Sequence, residues 1–174
     1  YTKRGDDLRV GDVVREVAAK RPDAVALRHG GREIAYGELD ERSNRLAQAL
    51  LDSGVRAGSR VAYLDRTAPE VVELLFATAK VGAVTVPLNW RLAPRELALV
   101  LEDARPPVLI AGESYADAAG ELVAGLSPAP ERVVIGAAYE RWLAAHDAVD
   151  PGGRGASGDV VLQMYTSGTT GAPK

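Results

Sequence analysis

Short apolar runs alternate with amphipathic helical segments along this chain, and that alternation restricts the fold more than any other feature. RVAYLD at 60–65 is followed by PEVVELLFATAKVG, AVTVPL at 83–88, PRELALVLEDA from Pro94 and PVLIAG at 107–112. Apolar runs this short, bounded by Gly and Pro, read as strands buried on both faces. Between them, Pro69 suits the first turn of a helix because its missing N–H is not needed there. Val71, Val72, Leu75, Thr78 and Ala79 form the inward face of that helix, and Gly82 ends it. Pro87 terminates the next strand. Pro94 opens a helix with Leu97, Val100, Leu101 and Ala104 on its buried face. Strands separated by helices of this length predict an α/β fold: a mainly parallel sheet with helices on both faces. Ligands of such sheets lie beyond the carboxyl ends of the strands.

The flanking regions follow the same logic. Val10, Val13, Val14 and Val17 recur at helical spacing, and Pro22 closes that helix. AVALRHGGREIAY reads as a hairpin turning at His29-Gly30-Gly31-Arg32. From Tyr36, one helix face carries Leu39, Ser43, Leu46, Ala47 and Leu50, with Gly54 as its stop. Beyond 112, the Ala-rich 114–126 reads as a helix, SPAPE as a turn, RVVIG as a strand and 139–146 as a helix. A Gly-rich flexible loop covers 150–158, and VVLQM at 160–164 reads as a buried strand. No internal repeat is visible.

Composition removes several function classes. A chain of 174 residues with 47% hydrophobic and 26% charged residues can bury one domain or a large piece of one. Its net charge of −3, with 21 basic residues scattered among 24 acidic ones, makes no basic face for nucleic acid or an anionic membrane. The absence of cysteine rules out disulfides and thiolate metal sites, and two distant histidines argue against zinc. The first residues lack the apolar core of a secretory signal. No stretch is long and apolar enough to span a bilayer. A soluble, cytoplasmic protein is expected, and the missing initiator Met predicts a part of a longer chain.

The chemistry concentrates in YTSGTTGAPK at 165–174. Gly168 and Gly171 permit backbone angles that expose consecutive N–H groups, and such concave arrays bind anions. Thr166, Ser167, Thr169 and Thr170 add hydroxyl donors, and Lys174 adds a compact positive charge. These are parts for holding phosphate; the alternative is a flexible Gly/Ser/Thr tail. The stretch is not a Walker loop, because only two residues separate Gly168 from Gly171 and the lysine follows Pro173. Nor do its hydroxyls and Pro173 fit a dinucleotide-binding glycine motif.

LQMYTSGTTGAPK closely resembles the phosphate-binding signature of the adenylate-forming superfamily of acyl- and aryl-CoA synthetases, luciferases and peptide-synthetase adenylation domains. IAYGELDERSNRLAQAL at 34–50 resembles the early Tyr-x-Glu-Leu helix of that superfamily. AKVGAVTVPLNWRLAPRELALVLED at 79–103 resembles its Gly-Ala-x-x-x-Pro-Leu-Asn segment. The resemblance runs from about Val10 to Lys174, with little that is diagnostic in 112–158. Asn89-Trp90-Arg91-Leu92, and the second Thr of Gly-Thr-Thr-Gly, look more like the acyl-CoA synthetases.

The resemblance implies that residues 1–174 are the N-terminal part of the AMP-binding domain of an ATP-dependent acyl-CoA synthetase acting on a carboxylic, expected fatty, acid. It implies ATP, Mg²⁺ and coenzyme A. Thr166, Ser167, Gly168, Thr169, Thr170, Gly171 and Lys174 would hold the ATP phosphates, and Thr166 would also ligate Mg²⁺. The adenine and ribose segments, most of the acyl pocket and the small C-terminal domain with its lysine match nothing here. No catalytic residue is therefore expected within the chain, and the 174 residues alone are expected to be inactive. Glu38, Asp40 and Glu41 read as a solvated helix face, His29 and His146 as surface, Trp90 and Trp142 as packing. Two alternatives stand beside this reading. One is an adenylation domain or acyl-carrier-protein ligase that loads a carrier protein; the other is a non-enzymatic nucleotide-binding or structural α/β module.

Overall fold

The computed structural model describes residues 8–166. Helix α1 (Val10–Lys20) leads to a hairpin of β1 (Val25–His29) and β2 (Arg32–Ala35), then to α2 (Tyr36–Asp52). The hairpin turns through Gly30 and Gly31, both at positive φ (57° and 81°), the geometry that a two-residue hairpin loop demands. There follow β3 (Arg60–Leu64), α3 (Pro69–Val81), β4 (Val84–Pro87), α4 (Pro94–Ala104) and β5 (Val108–Ala111). The last elements are a 3-10 turn (Glu113–Tyr115), α5 (Ala116–Ala124), β6 (Glu131–Val134) and α6 (Ala137–Ala144). The expected helices at 114–126 and 139–146 are thus present with shifted ends.

The strands β4-β3-β5-β6 form one parallel sheet in that order. Val61 lies between Thr85 and Val108, and Tyr63 between Pro87 and Ile110. Side-chain alternation sorts the apolar residues onto two faces. Val61, Tyr63, Val108, Ile110 and Val133 pack with Leu46 and Leu50 of α2, Leu74 and Ala77 of α3, and Leu143 of α6. Ala62, Leu64, Val86, Leu109 and Ala111 pack with Leu97, Val100 and Leu101 of α4 and Leu122 of α5. Helices on both faces of a parallel sheet are what the alternation of runs predicts.

Helix α3 differs from its expected pattern. Val71, Val72 and Leu75 are only half-buried, whereas Glu73 and Lys80 are buried. Both charges are satisfied by α2 and α6. Lys80 Nζ donates to Asp40 Oδ1, Ser43 Oγ and Asn44 Oδ1, each at 2.7 Å. Burial pushes the Lys80 ammonium below its ordinary pKa, and the Asp40 carboxylate works against that shift. Glu73 accepts from Arg42 Nε at 2.6 Å and from the Tyr139 hydroxyl at 2.8 Å. Asp40 is therefore an ion-pair partner, not part of a solvated face. In α1, Val14 is fully buried and Val10 and Val17 are half-buried, whereas Val13 is 40% exposed and Asp12 is buried; Asp12 pairs with Arg9 and Arg15. Among the described residues no helix is long and apolar enough to cross a membrane.

Gly82 closes α3 at φ 74°, where an added Cβ would meet Ala57 Cβ and the Arg154 carbonyl at 3.3 Å. Gly54 has φ 84° but open space around it. Gly82→Ala is expected to lower stability by about 1–2 kcal/mol from backbone strain alone and more through the contacts. Gly54→Ala should cost less, and equal thermal midpoints for the two variants would contradict the packing contribution. Burial raises the Tyr63 and Tyr139 phenols well above their ordinary pKa. The folded form then keeps protons that the unfolded form sheds near about pH 10, so stability falls as pH rises through that value. Tyr63→Phe should flatten that fall, measured as the thermal midpoint across about pH 9–11.

Candidate functional site

Residues 160–166 run along the outer edge of β4 toward the carboxyl end of the sheet. Thr85 donates its backbone N–H to Val161 O, and Gln163 N–H donates to Thr85 O, both at 2.9 Å. The pairing is parallel and amounts to one bridge, Thr85 to Leu162. The expected buried strand at 160–164 is therefore corrected: Val160 is 62% exposed, Met164 64% and Leu162 42%. The apolar run lies at the edge of the sheet, where no described element covers its outer face.

The Gly-rich approach to this segment is tied down. Arg9 Nη1 donates to Gly153 O at 2.8 Å and Gly155 O at 2.9 Å. Arg15 Nη2 reaches Asp150 Oδ1 at 2.7 Å, and Arg154 N–H donates to Lys80 O at 3.0 Å. Upstream, Arg45 and Gln48 of α2 donate to the carbonyls of His146 and Val149, each at 2.6 Å. A stretch that reads as flexible from its glycines is anchored to α1, α2 and α3.

Beyond the bridge, side chains take over from backbone pairing. Arg60 Nε donates to Gln163 Oε1 at 2.8 Å, Gln163 Nε2 to the Tyr165 hydroxyl at 2.8 Å, and that hydroxyl to Asp103 of α4. The Tyr165 ring packs against the apolar cluster that holds Leu97 and Leu101. Burial, reinforced by the Asp103 carboxylate, pushes its phenol up to about 12. Arg60, Gln163 and Asp103 escape a reading of the sequence because the residues are far apart in the chain. The one local signal was strand alternation, which puts Gln163 and Tyr165 on the same side.

Thr166 follows as an exposed residue at the end of the segment. Of the expected phosphate-holding residues it alone lies in the described part. Ser167, Gly168, Thr169, Thr170, Gly171 and Lys174 lie outside the described residues. Among the described residues there is no cluster of three or more His, Cys, Asp or Glu that could hold a metal ion.

Other groups crowd the same end of the sheet. Asp65 accepts from Arg66 N–H at 2.7 Å, and its carboxylate fills the space over Gly112, where a Cβ would stand 2.2 Å away. Arg91 and Arg66 lie 4.4 Å and 5.0 Å from the Trp90 ring, with the Tyr115 ring at 6.4 Å. Two guanidiniums around an indole form a surface that draws anions. Trp142 packs on Tyr139, as expected of a packing residue. His29 is exposed in the hairpin, and His146 contacts Trp142 O and Asp52. A cavity of about 730 Å³, lined by Leu101, Pro107, Leu126 and Pro130, opens at the amino ends of β5 and β6, away from Thr166.

Comparison with known proteins bears on the family and the fold. Residues 14–174 match the family described as AMP-binding enzyme. A feruloyl-CoA synthase of an Amycolatopsis species is 44% identical over 157 residues, covering 90% of this chain and 30% of its own length. The fatty acid--[acyl-carrier-protein] ligase ScoC of Streptomyces coeruleorubidus is 37% identical over 160 residues, with the same coverage. Among solved structures, the anthranilate CoA ligase AuaEII in complex with anthranoyl-AMP superposes with a TM-score of 0.91 at 26% identity, over 98% of this chain and 34% of that one. The chain thus spans about 30% of the length of these curated relatives. With a match that runs from 14 to 174, the protein belongs to the AMP-binding enzyme family.

Proposed function

We propose that residues 1–174 are the N-terminal part of the AMP-binding domain of an AMP-forming acid–thiol ligase. The carboxylate of the acid attacks the α-phosphorus of ATP and displaces pyrophosphate. The acyl group of the resulting adenylate then passes to the thiol of CoA, and AMP leaves. The observation that carries this reading is the family match across 14–174. In support, the edge segment leads Thr166 to the carboxyl end of the sheet, with the hydroxyl, glycine and lysine residues next in sequence.

The first step brings an anion up to a polyanion, so fixed donors must offset the repulsion and stabilise charge moving onto pyrophosphate. The hydroxyls of Ser167, Thr169 and Thr170, with backbone N–H groups freed by Gly168 and Gly171, suit the β- and γ-phosphates. Lys174 offsets their charge. Thr166 is the ligand this chain offers to Mg²⁺, which when bound screens the phosphate charge. The substrate reading is a carboxylic acid, fatty or aromatic, because relatives of both kinds match at similar identity. A second reading, transfer to a carrier protein in place of CoA, is favoured by the likeness to ScoC. Acyl transfer to CoA against transfer to a holo-carrier protein separates the two.

In the intact protein, Thr169→Ala or Lys174→Ala is expected to slow acid-dependent ATP–pyrophosphate exchange by about a hundredfold, the loss of about 3 kcal/mol of transition-state stabilisation. Thioester formation from a supplied acyl-adenylate should stay within about twofold. Equal slowing of both half-reactions would defeat the assignment. Residues 1–174 by themselves should exchange no pyrophosphate, since they span about 30% of the length of the curated relatives; measurable exchange would overturn that.

A further inference from the structure

Resting on the reading above, we propose that Tyr165 is a positioning residue for adenylate formation: its hydroxyl, held between Gln163 and Asp103, sets the direction in which the chain leaves the sheet edge toward Thr166. The edge segment has one β-bridge, and its last described backbone bond to β4 is Gln163 N–H to Thr85 O. The residues that follow Gln163 are thus steered by side chains. Tyr165 is half-buried, its ring seated on the α4 side of the sheet, whereas Met164 and Thr166 on either side of it are exposed.

Donor and acceptor chemistry orients the relay. A guanidinium only donates, so the oxygen of the Gln163 amide must face Arg60, leaving its NH₂ to face Tyr165. A carboxylate only accepts, so the phenolic proton goes to Asp103 and the phenol oxygen accepts from Gln163. The contacts run in this order from a cation on β3 to an anion on α4. The phenol holds its proton to about pH 12, so the relay stays in one state through any ordinary assay. It joins β3, the edge segment and α4 at the residue before Thr166, and so fixes the direction of the backbone that carries Thr166.

Tyr165→Phe keeps the ring and removes both hydroxyl bonds; Asp103→Ala removes the exposed acceptor at the other end. In the intact protein, each is expected to raise KM for ATP and lower kcat/KM for pyrophosphate exchange by about tenfold, as misplaced phosphate donors would. Thioester formation from a supplied acyl-adenylate, which has no β- or γ-phosphate, should change by less than about twofold, with the thermal midpoint held. The double variant should be no slower than either single one, because both break the same relay. An unchanged KM for ATP in Tyr165→Phe, or equal loss in both half-reactions with a lowered midpoint, overturns the inference while wild-type exchange leaves the functional reading intact. A wild-type protein that exchanges no pyrophosphate with any carboxylic acid overturns both.

Discussion

Strand β3 is the element on which the rest of the structure depends. It pairs in parallel with β4 on one side and β5 on the other, and Val61, Ala62, Tyr63 and Leu64 are all buried. Parallel strands cannot be joined by a tight turn, so each connection must carry a helix over one face of the sheet. The connection through α3 covers one face, and those through α4 and α5 cover the other. Because β4 and β5 lie on opposite sides of β3, the strand order reverses there, and ligands of such sheets bind beyond the carboxyl ends at that point. Asp65 over Gly112, and Trp90 between Arg66 and Arg91, line that end.

Charge buried between helices sets how α2 lies on α3. Taking Lys80 and Glu73 out of water is costly, and what offsets the cost is a complete set of partners. Lys80 has acceptors at Asp40, Ser43 and Asn44, which lie within one turn of α2; Glu73 has Arg42 and Tyr139. A slide of one helix along the other would strand these groups, so the polar contacts hold a register that apolar packing alone would define loosely. Gly11 of α1 lets that helix close on the same place, where a Cβ would sit 3.1 Å from Lys80 N. The carbonyl of Lys80 in turn holds Arg154, so the packing of three helices reaches the approach to the edge segment.

That edge segment is where strand-like sequence and strand-like burial part company. Val160, Leu162 and Met164 have the composition of a core strand, yet they stand in solvent on the rim outside β4. Its position is held from both ends: by Arg15 of α1 and Arg9 just before it at 150–155, and by the chain from Arg60 through Gln163 and Tyr165 to Asp103 beyond the bridge. For the proposed phosphate site, the direction of the backbone before Thr166 matters, because such chemistry depends on where donors point.

The parallel α/β layout was legible from the amino-acid order because helix and strand impose different periods on apolar residues, and Gly and Pro punctuate them. Gly82, Pro69, Pro94 and the Gly30-Gly31 turn act locally, through backbone angles and missing donors, and stand where they were expected. The stretch proposed to hold phosphate stood out for the same reason, since its residues are contiguous. What the order of residues could not reveal is which charges would be buried and which apolar run would be left at the rim. Asp40 reads as solvated until Lys80 is brought against it, and 160–164 reads as core until no described element covers it. Partners 36 to 62 residues apart meet only once the sheet has closed, so tertiary packing alone decided the Lys80 cluster and the Asp103–Tyr165 contact.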